Sequence, residues 1–382
     1  MIPPPPDRTT TPTSPQAQAG TPTSTPGEVP GRAPSPSVGS LARRSVAASA
    51  RAAQAARRDA AYRVLVRGLP EIRPARAYLL LAGLLLALTG PDLVLNPLVL
   101  VDIVGGPDLM DHVPDWVGDA MIIAVAAGWL LALLPRSDRP LPVRAALMIA
   151  AAALAVGAIL TLGESSTFTE RADPIGLAAV TVWLCWEVLH RHGITLTHLG
   201  VPGPSAVKAA HPAQGAAVFS TALAAQVITS MIMAWLGTKS WLPHPTQSQA
   251  EALGINDDTA FLIRASLAGV REELLWVAVA AVLLLTARRH VWTIYTAAVV
   301  LRIAPHLYLG FEGAAVGVFA AVHAWLFLRT RRLLPLVLAH AVYNVAVVYH
   351  RDTFAIGVLA AAIATACIAA GTFNRTTAAE AD

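Results

Sequence analysis

The sequence predicts an all-α, polytopic transmembrane bundle of about ten helices, preceded by a disordered tail. Three observations carry that expectation. Of the 382 residues, 55% are hydrophobic and only 14% charged, whereas a soluble domain carries roughly 25% charged residues. From Tyr78 onward apolar segments recur, several close to the ~20 residues needed to cross a bilayer. The loops between them alternate in the sign of their charge. The formal net charge of +4 does not point to nucleic acid, because the basic residues stand at the ends of apolar segments instead of forming a patch.

Residues 1–40 are rich in Pro, Thr and Ser and contain no aromatic residue, so they cannot bury enough apolar surface to fold. They also hold no apolar core of a secretory signal. Residues 41–76 are rich in Ala and Arg and are expected on the cytoplasmic side, either as a basic helix on anionic lipid or as a solvated tail. Apolar segments follow at 77–101, 119–134, 143–162, 174–190, 214–236, 261–286, 291–310, 312–328, 333–349 and 354–371, with a short tail at 372–382. Pro91 and Pro97 are expected to kink the first segment or end it early. Cys185 and Cys367 lie far apart inside apolar stretches without metal-ligand spacing, and read as small core residues.

The charges give an orientation. Arg136, Arg139 and Arg144 flank one loop, Arg191 and Lys208 lie in another, Arg288 and Arg289 mark a third, and Arg329, Arg331 and Arg332 a fourth. The intervening loops carry Asp102, Asp108, Asp111 and Asp115, then Glu164, Glu170 and Asp173, then Glu251, Asp257 and Asp258. Every basic loop falls on the side of the basic N-terminal segment. That predicts a multi-pass protein of a bacterial plasma membrane with both termini cytoplasmic.

Polar residues inside the apolar segments are few and come late in the chain. "VREELLWVAVAAVLLLT" places Glu272 and Glu273 in the sixth segment, although a charge at membrane depth costs on the order of 3 kcal/mol. The seventh segment has Arg302 and His306, and the ninth has His340 and Asn344. Both of these pairs have i, i+4 spacing, which puts each on one helix face. Three helices presenting polar groups imply a shared interior site. A buried Glu and a neutral His can activate water for hydrolysis, while a second His and an Asn can donate to an oxyanion. Glu272, His306 and His340 are also candidate ligands for zinc or another divalent metal, although no HExxH signature is present. His323 reads as a hydrogen-bonded packing residue, Trp276 and Tyr308 as packing or interfacial residues, and Arg264 and Arg271 as snorkelling or pairing with the glutamates. By helical rise, His306 lies about 20 Å from the inner face and His340 about 10 Å, an offset the fold has to absorb.

"EELLWVA", "LRIAPHLYLG" and "HAVYN" resemble the three motifs of the CPBP intramembrane proteases, the family of CAAX prenyl proteases and bacteriocin-processing or immunity proteins. Their pattern is EExxxR, FxxxH and HxxxN or HxxxD on successive transmembrane helices. "HRHGITLTHLGV" is similar to the linker that often precedes that domain, which here would span 214–371, after N-terminal helices and a linker at 77–213. The resemblance implies a glutamate-dependent intramembrane endopeptidase, carried as a metalloprotease by family label, acting on a peptide or protein substrate among membrane lipids. It implies Glu272 and His306 as activators of water, His340 and Asn344 as an oxyanion hole, and a supporting role for Glu273. Two positions depart from the pattern: Val277 stands where the first motif has Arg, and Arg302 where the second has Phe. Arg302 is therefore expected to reach across to Glu273 in place of the missing cation. The alternative is a non-catalytic scaffold or bacteriocin-immunity member. A proton-coupled transporter lacks the repeat symmetry expected of that class.

Overall fold

The computed structural model describes residues 62, 63, 65–103, 116–133, 167–201, 212–243, 255, 257–349 and 353–369, all within one compact unit, Asp59–Asp382. The 1–40 tail, most of the 41–76 segment, the third apolar segment at 143–162 and the 372–382 tail lie outside the described residues. Among the described residues every regular element is helical, with no strand.

The helices are α1 (Pro74–Ile103), α2 (Trp116–Leu133), α3 (Thr167–Arg191), α4 (Pro212–Gly237) and α5 (Asp258–Glu272). A π-helical segment, Glu273–Val279, joins α5 directly to α6 (Ala280–Thr286). Then come α7 (Val291–Ile303), a 3₁₀ segment (Ala304–Ala315), α8 (Val316–Thr330), α9 (Leu333–Val348) and α10 (Thr353–Ala369). Among the described residues three stretches are long and apolar enough to span a bilayer: Arg171–Arg191, Pro212–Gly237 and Val291–Thr330. The protein is a membrane-embedded helical bundle.

Small residues let these helices approach closely, as is usual where lipid removes the hydrophobic drive for association. A Cβ on Gly83 would come within 2.7 Å of the Ala132 nitrogen, and one on Gly128 within 2.5 Å of the Ala87 nitrogen, so α1 and α2 meet backbone to backbone. At Gly269 a Cβ would come within 2.9 Å of the Val337 carbonyl oxygen. Only glycine lets α9 lie so tightly on α5, and this contact brings His340 against the glutamates. The α5 helix is started by Asp257, whose carboxylate accepts from the Ala260 N–H at 2.7 Å and pairs with Arg171 at 2.6 Å.

Three expectations change. Helix α1 continues through Pro91 and Pro97 to Ile103 instead of ending early. The seventh segment ceases to be α-helical at Ile303, because Pro305 lacks an N–H and its ring collides with the carbonyl four residues back. The 3₁₀ segment that replaces it turns at Gly310 (φ 68°, ψ −155°), a conformation reserved for glycine. The sixth segment is interrupted by the π-helical segment beginning at Glu273. Cys185 and Cys367 are free, as expected.

The two ends of the bundle differ in charge. At one end Arg288 donates to the Val66 carbonyl and pairs with Glu71 at 3.8 Å. Arg289 donates to the Tyr78 hydroxyl, Arg331 to the Leu65 carbonyl and Arg332 to Gln214. The chain preceding α1 is stitched into this collar by the Ile72 N–H, which donates to the Thr286 carbonyl at 3.0 Å. Asp257 and Asp258, at the start of α5, and Glu312, beside Gly237 at the end of α4, sit toward the other end.

Candidate active site

Glu272, Glu273, Arg302, His323 and His340 converge in the middle of the bundle. Arg302 is completely buried. Its Nη1 donates to Glu272 Oε2, and its Nη2 donates to Glu273 Oε1 at 2.5 Å. The planar guanidinium presents donors in divergent directions, so it bridges two carboxylates that adjacent helical positions alone would send about 100° apart. Arg302 thus reaches Glu273 as expected, and Glu272 as well. The rings of Trp276 and Phe319 lie 5.0 Å and 4.7 Å from its central carbon, giving the buried cation an aromatic lining.

Glu273 is saturated. Besides Arg302, its Oε1 accepts from His340 Nδ1 at 2.8 Å and its Oε2 accepts from His323 Nδ1 at 2.8 Å. An ionised carboxylate only accepts, so both imidazoles carry their proton on Nδ1 at these contacts. Glu272 differs. Its side chain is 11% exposed, against 0% for Glu273, and it lines a cavity of about 730 Å³. Of its contacts, Arg302 and the His340 Nε2, 3.8 Å away, both lie at Oε2.

His306 belongs to the same cavity. Its Nδ1 faces the Arg302 carbonyl at 2.7 Å. A carbonyl can only accept, so Nδ1 bears the hydrogen and Nε2 keeps a free lone pair. The Trp276 ring meets the imidazole edge-on, at 6.1 Å between centroids. Gly313 makes room for this turn, since a Cβ there would lie 2.3 Å from the His306 carbonyl oxygen. The 3₁₀ segment absorbs the offset of roughly 10 Å in depth expected from the helical rise of two straight spans, and His306 and His340 share one cavity. Asn344 also lines it and donates from Nδ2 to the Ala265 carbonyl at 2.8 Å. A carboxamide has a second N–H to offer.

The Nδ1 atoms of His340 and His306 are engaged by Glu273 and by the Arg302 carbonyl, which leaves any metal ligation to their Nε2 atoms and to the oxygens of Glu272. The Arg302 guanidinium already holds Glu272 on the oxygen shared with His340. Among the described residues no three His, Cys, Asp or Glu side chains are grouped to hold an ion.

Several residues gain a place that their sequence context did not give them. His323, expected as a hydrogen-bonded packing residue, makes its hydrogen bond to Glu273 within the charged cluster. The rule that singled out the other intramembrane polar groups applies to it equally. Gln226 of α4 contacts His323 Nε2 at 3.2 Å and lines the cavity with Thr229; nothing in its segment marked it. Trp276 and Tyr308 line the cavity. Arg271 pairs with Asp92 at 3.8 Å, not with the glutamates.

Residues 258–346 match the family described as type II CAAX prenyl endopeptidase Rce1-like. Neither the curated proteins nor the solved structures yield a significant match. The matched residues run from the first turn of α5 to the last turns of α9 and include every member of the charged cluster. These residues, which hold the whole charged cluster, are thus similar to the CPBP/CAAX protease family.

Proposed function

We propose that Glu272 and His306 activate a water molecule for attack on a peptide carbonyl at membrane depth, with His340 and Asn344 receiving the oxyanion. The observation that carries this reading is the asymmetry of the two carboxylates: Glu273 is buried and saturated, while Glu272 borders the cavity with an oxygen to spare. A water between Glu272 and His306 Nε2 would pass its proton to one of them as its oxygen bonds to the carbonyl carbon. The developing oxyanion would be met by the second Asn344 N–H and by His340 Nε2. Because His340 Nδ1–H is directed at Glu273, donation from Nε2 requires the imidazolium form.

When the tetrahedral adduct collapses, the C–N bond breaks and the amine leaves with the proton held at Glu272 or His306. The products are a carboxylic acid and an amine, with water consumed. Glu273 and His323 position Arg302 and His340 without touching substrate. Arg302 supplies the permanent positive charge that keeps Glu272 ionised as a base.

The test is cleavage of prenylated CAAX peptides and of unprenylated membrane peptides by purified protein in lipid vesicles. Wild type is compared with Glu272→Ala and His306→Ala, and the metal content of each preparation is determined. Loss of cleavage in both variants, with wild-type activity unrelated to bound metal, is expected. Equal residual activity in all three proteins would refute the hydrolytic assignment.

A further inference from the structure

We infer that Asp92 and Asn96, both on α1, are positioning residues of the hydrolytic site. Each holds the residue immediately before one of the two water-activating groups, and together they set the spacing of Glu272 and His306. The inference rests on the peptidase proposal for the roles of Glu272 and His306, and on contacts alone for the brace itself.

The stretch "PDLVLNP" places two polar side chains in an otherwise apolar part of α1. Polar groups at membrane depth are costly and turn to the bundle interior. Asp92 and Asn96 are spaced i, i+4, so they share one helix face, about 6 Å apart along the axis. That face borders the catalytic cavity, which both residues line.

Asn96 reaches the residue before His306. Its Nδ2 donates to the Pro305 carbonyl at 2.5 Å, across 209 positions of sequence. Pro305 stands where α7 gives way to the 3₁₀ segment. Lacking an N–H, it cannot be tied back to the preceding turn. Asn96 therefore anchors from outside the peptide group that joins Pro305 to His306. That group is rigid and planar, so holding its oxygen fixes the backbone from which the His306 side chain departs. The imidazole is then secured by Nδ1 at the Arg302 carbonyl, which leaves Nε2 for water.

Asp92 reaches the residue before Glu272. Its Oδ2 lies 3.8 Å from Nη2 of Arg271, which also lines the cavity. Adjacent helical residues point about 100° apart. Arg271 drawn onto α1 thus leaves Glu272 turned to Arg302 and the cavity. Both links start before the matched segment, residues 258–346, so a helix outside that segment completes the site.

The full chain in lipid vesicles is compared with Asn96→Leu, which keeps the volume without the donor, and with Asn96→Ser and Asn96→Gln, which each retain a donor. Misplacing a reacting group by about 1 Å costs on the order of 10²-fold. For Asn96→Leu, kcat for peptide cleavage is expected to fall by about that factor, with KM and the unfolding midpoint close to wild type. At least one of the Ser and Gln variants recovers most of the loss. Asp92→Asn lowers kcat in the same way by a smaller factor, its ion pair being the longer contact. A kcat within about twofold of wild type in Asn96→Leu overturns the inference. So does a midpoint that falls in step with kcat while neither Ser nor Gln recovers it.

A second readout needs no cleavage. Nitrogen NMR of isotopically labelled histidine, with the His306 signals identified by their loss in His306→Ala, reports the Nδ1–H tautomer in the wild type. Asn96→Leu is expected to give a mixture of tautomers at His306, and an unchanged spectrum overturns the inference. A wild type that cleaves no peptide sinks the peptidase proposal instead, and the histidine spectrum then decides alone whether α1 holds His306.

Discussion

Replacing Arg302 with methionine removes the one permanent cation shared by Glu272 and Glu273 while keeping much of the side-chain volume. Breaking a buried ion pair by deleting one partner costs about 3–5 kcal/mol. Arg302 is wholly buried and serves two carboxylates at once, so the upper end, about 5 kcal/mol, applies. In a domain of this size each kcal/mol lowers the unfolding midpoint by roughly 2 °C, which predicts a loss of about 10 °C. Two facing carboxylates without their cation relieve the repulsion by binding a proton, and a protonated Glu272 is no longer a base, so cleavage is also lost. Thermal unfolding in detergent can be followed with a thiol-reactive dye in a Cys367→Ala background, since Cys367 is partly exposed while Cys185 is buried and becomes reactive only on unfolding. Adding Glu273→Gln to Arg302→Met removes one stranded carboxylate and raises the midpoint above that of the single variant. Arg302→Phe combined with Val277→Arg, which restores a cation about one turn beyond Glu273 on the same helix, regains both stability and cleavage. An Arg302→Met protein with an unchanged midpoint and full activity would show that the guanidinium is not the counter-charge of the cluster.

Glu272→Gln and Glu273→Gln should separate chemistry from structure. The first abolishes peptide cleavage with little change in unfolding midpoint; the second lowers the midpoint because it disturbs donors from Arg302, His323 and His340 together. Equal midpoints for the two would remove that distinction. Gly313→Ala drives a methyl group into the His306 carbonyl, and cleavage should fall at least as far as in His306→Ala if the turn is displaced; activity within twofold of wild type would mean that the turn yields freely. At the start of α5, Arg171 and the Ala260 N–H hold the Asp257 carboxyl below the ordinary carboxylate range. A depressed acid pKa contributes stability that is present above the unfolded value of roughly 4 and is lost as the pH falls through the folded value. Asp257→Asn should therefore flatten the acid limb of the midpoint–pH curve below about pH 4, and an unaltered limb would assign that limb to other groups.

The membrane character and the three polar-bearing helices were legible in composition and spacing, and the need for a cation near Glu273 was implied by the resemblance to the CPBP motifs. Charge is scarce in an apolar context, so each intramembrane polar residue carries information. The π-helical segment was not legible: Glu273–Val279 reads as an ordinary apolar helix, and the extra residue per turn arises from tertiary packing of α5 against α9 and of α6 against its neighbours. The 3₁₀ segment was half announced by Pro305, but its path through Gly310 and its close fit at Gly313 depend on contacts that no local pattern encodes. His323 is the buried, hydrogen-bonded residue expected, but its partner, Glu273, lies 50 residues earlier and no local pattern names it. Gln226 has the same problem at a separation of 97 residues.

The tightly packed column from Leu274 to Thr286 has an electrical consequence. All its side chains are buried and apolar except Thr286, whose hydroxyl is turned back to the Leu283 carbonyl. Along this column a proton finds no group to hop between, so the carboxylates Glu272 and Glu273 can sit in an apolar bundle without this stretch of helix conducting protons away from them.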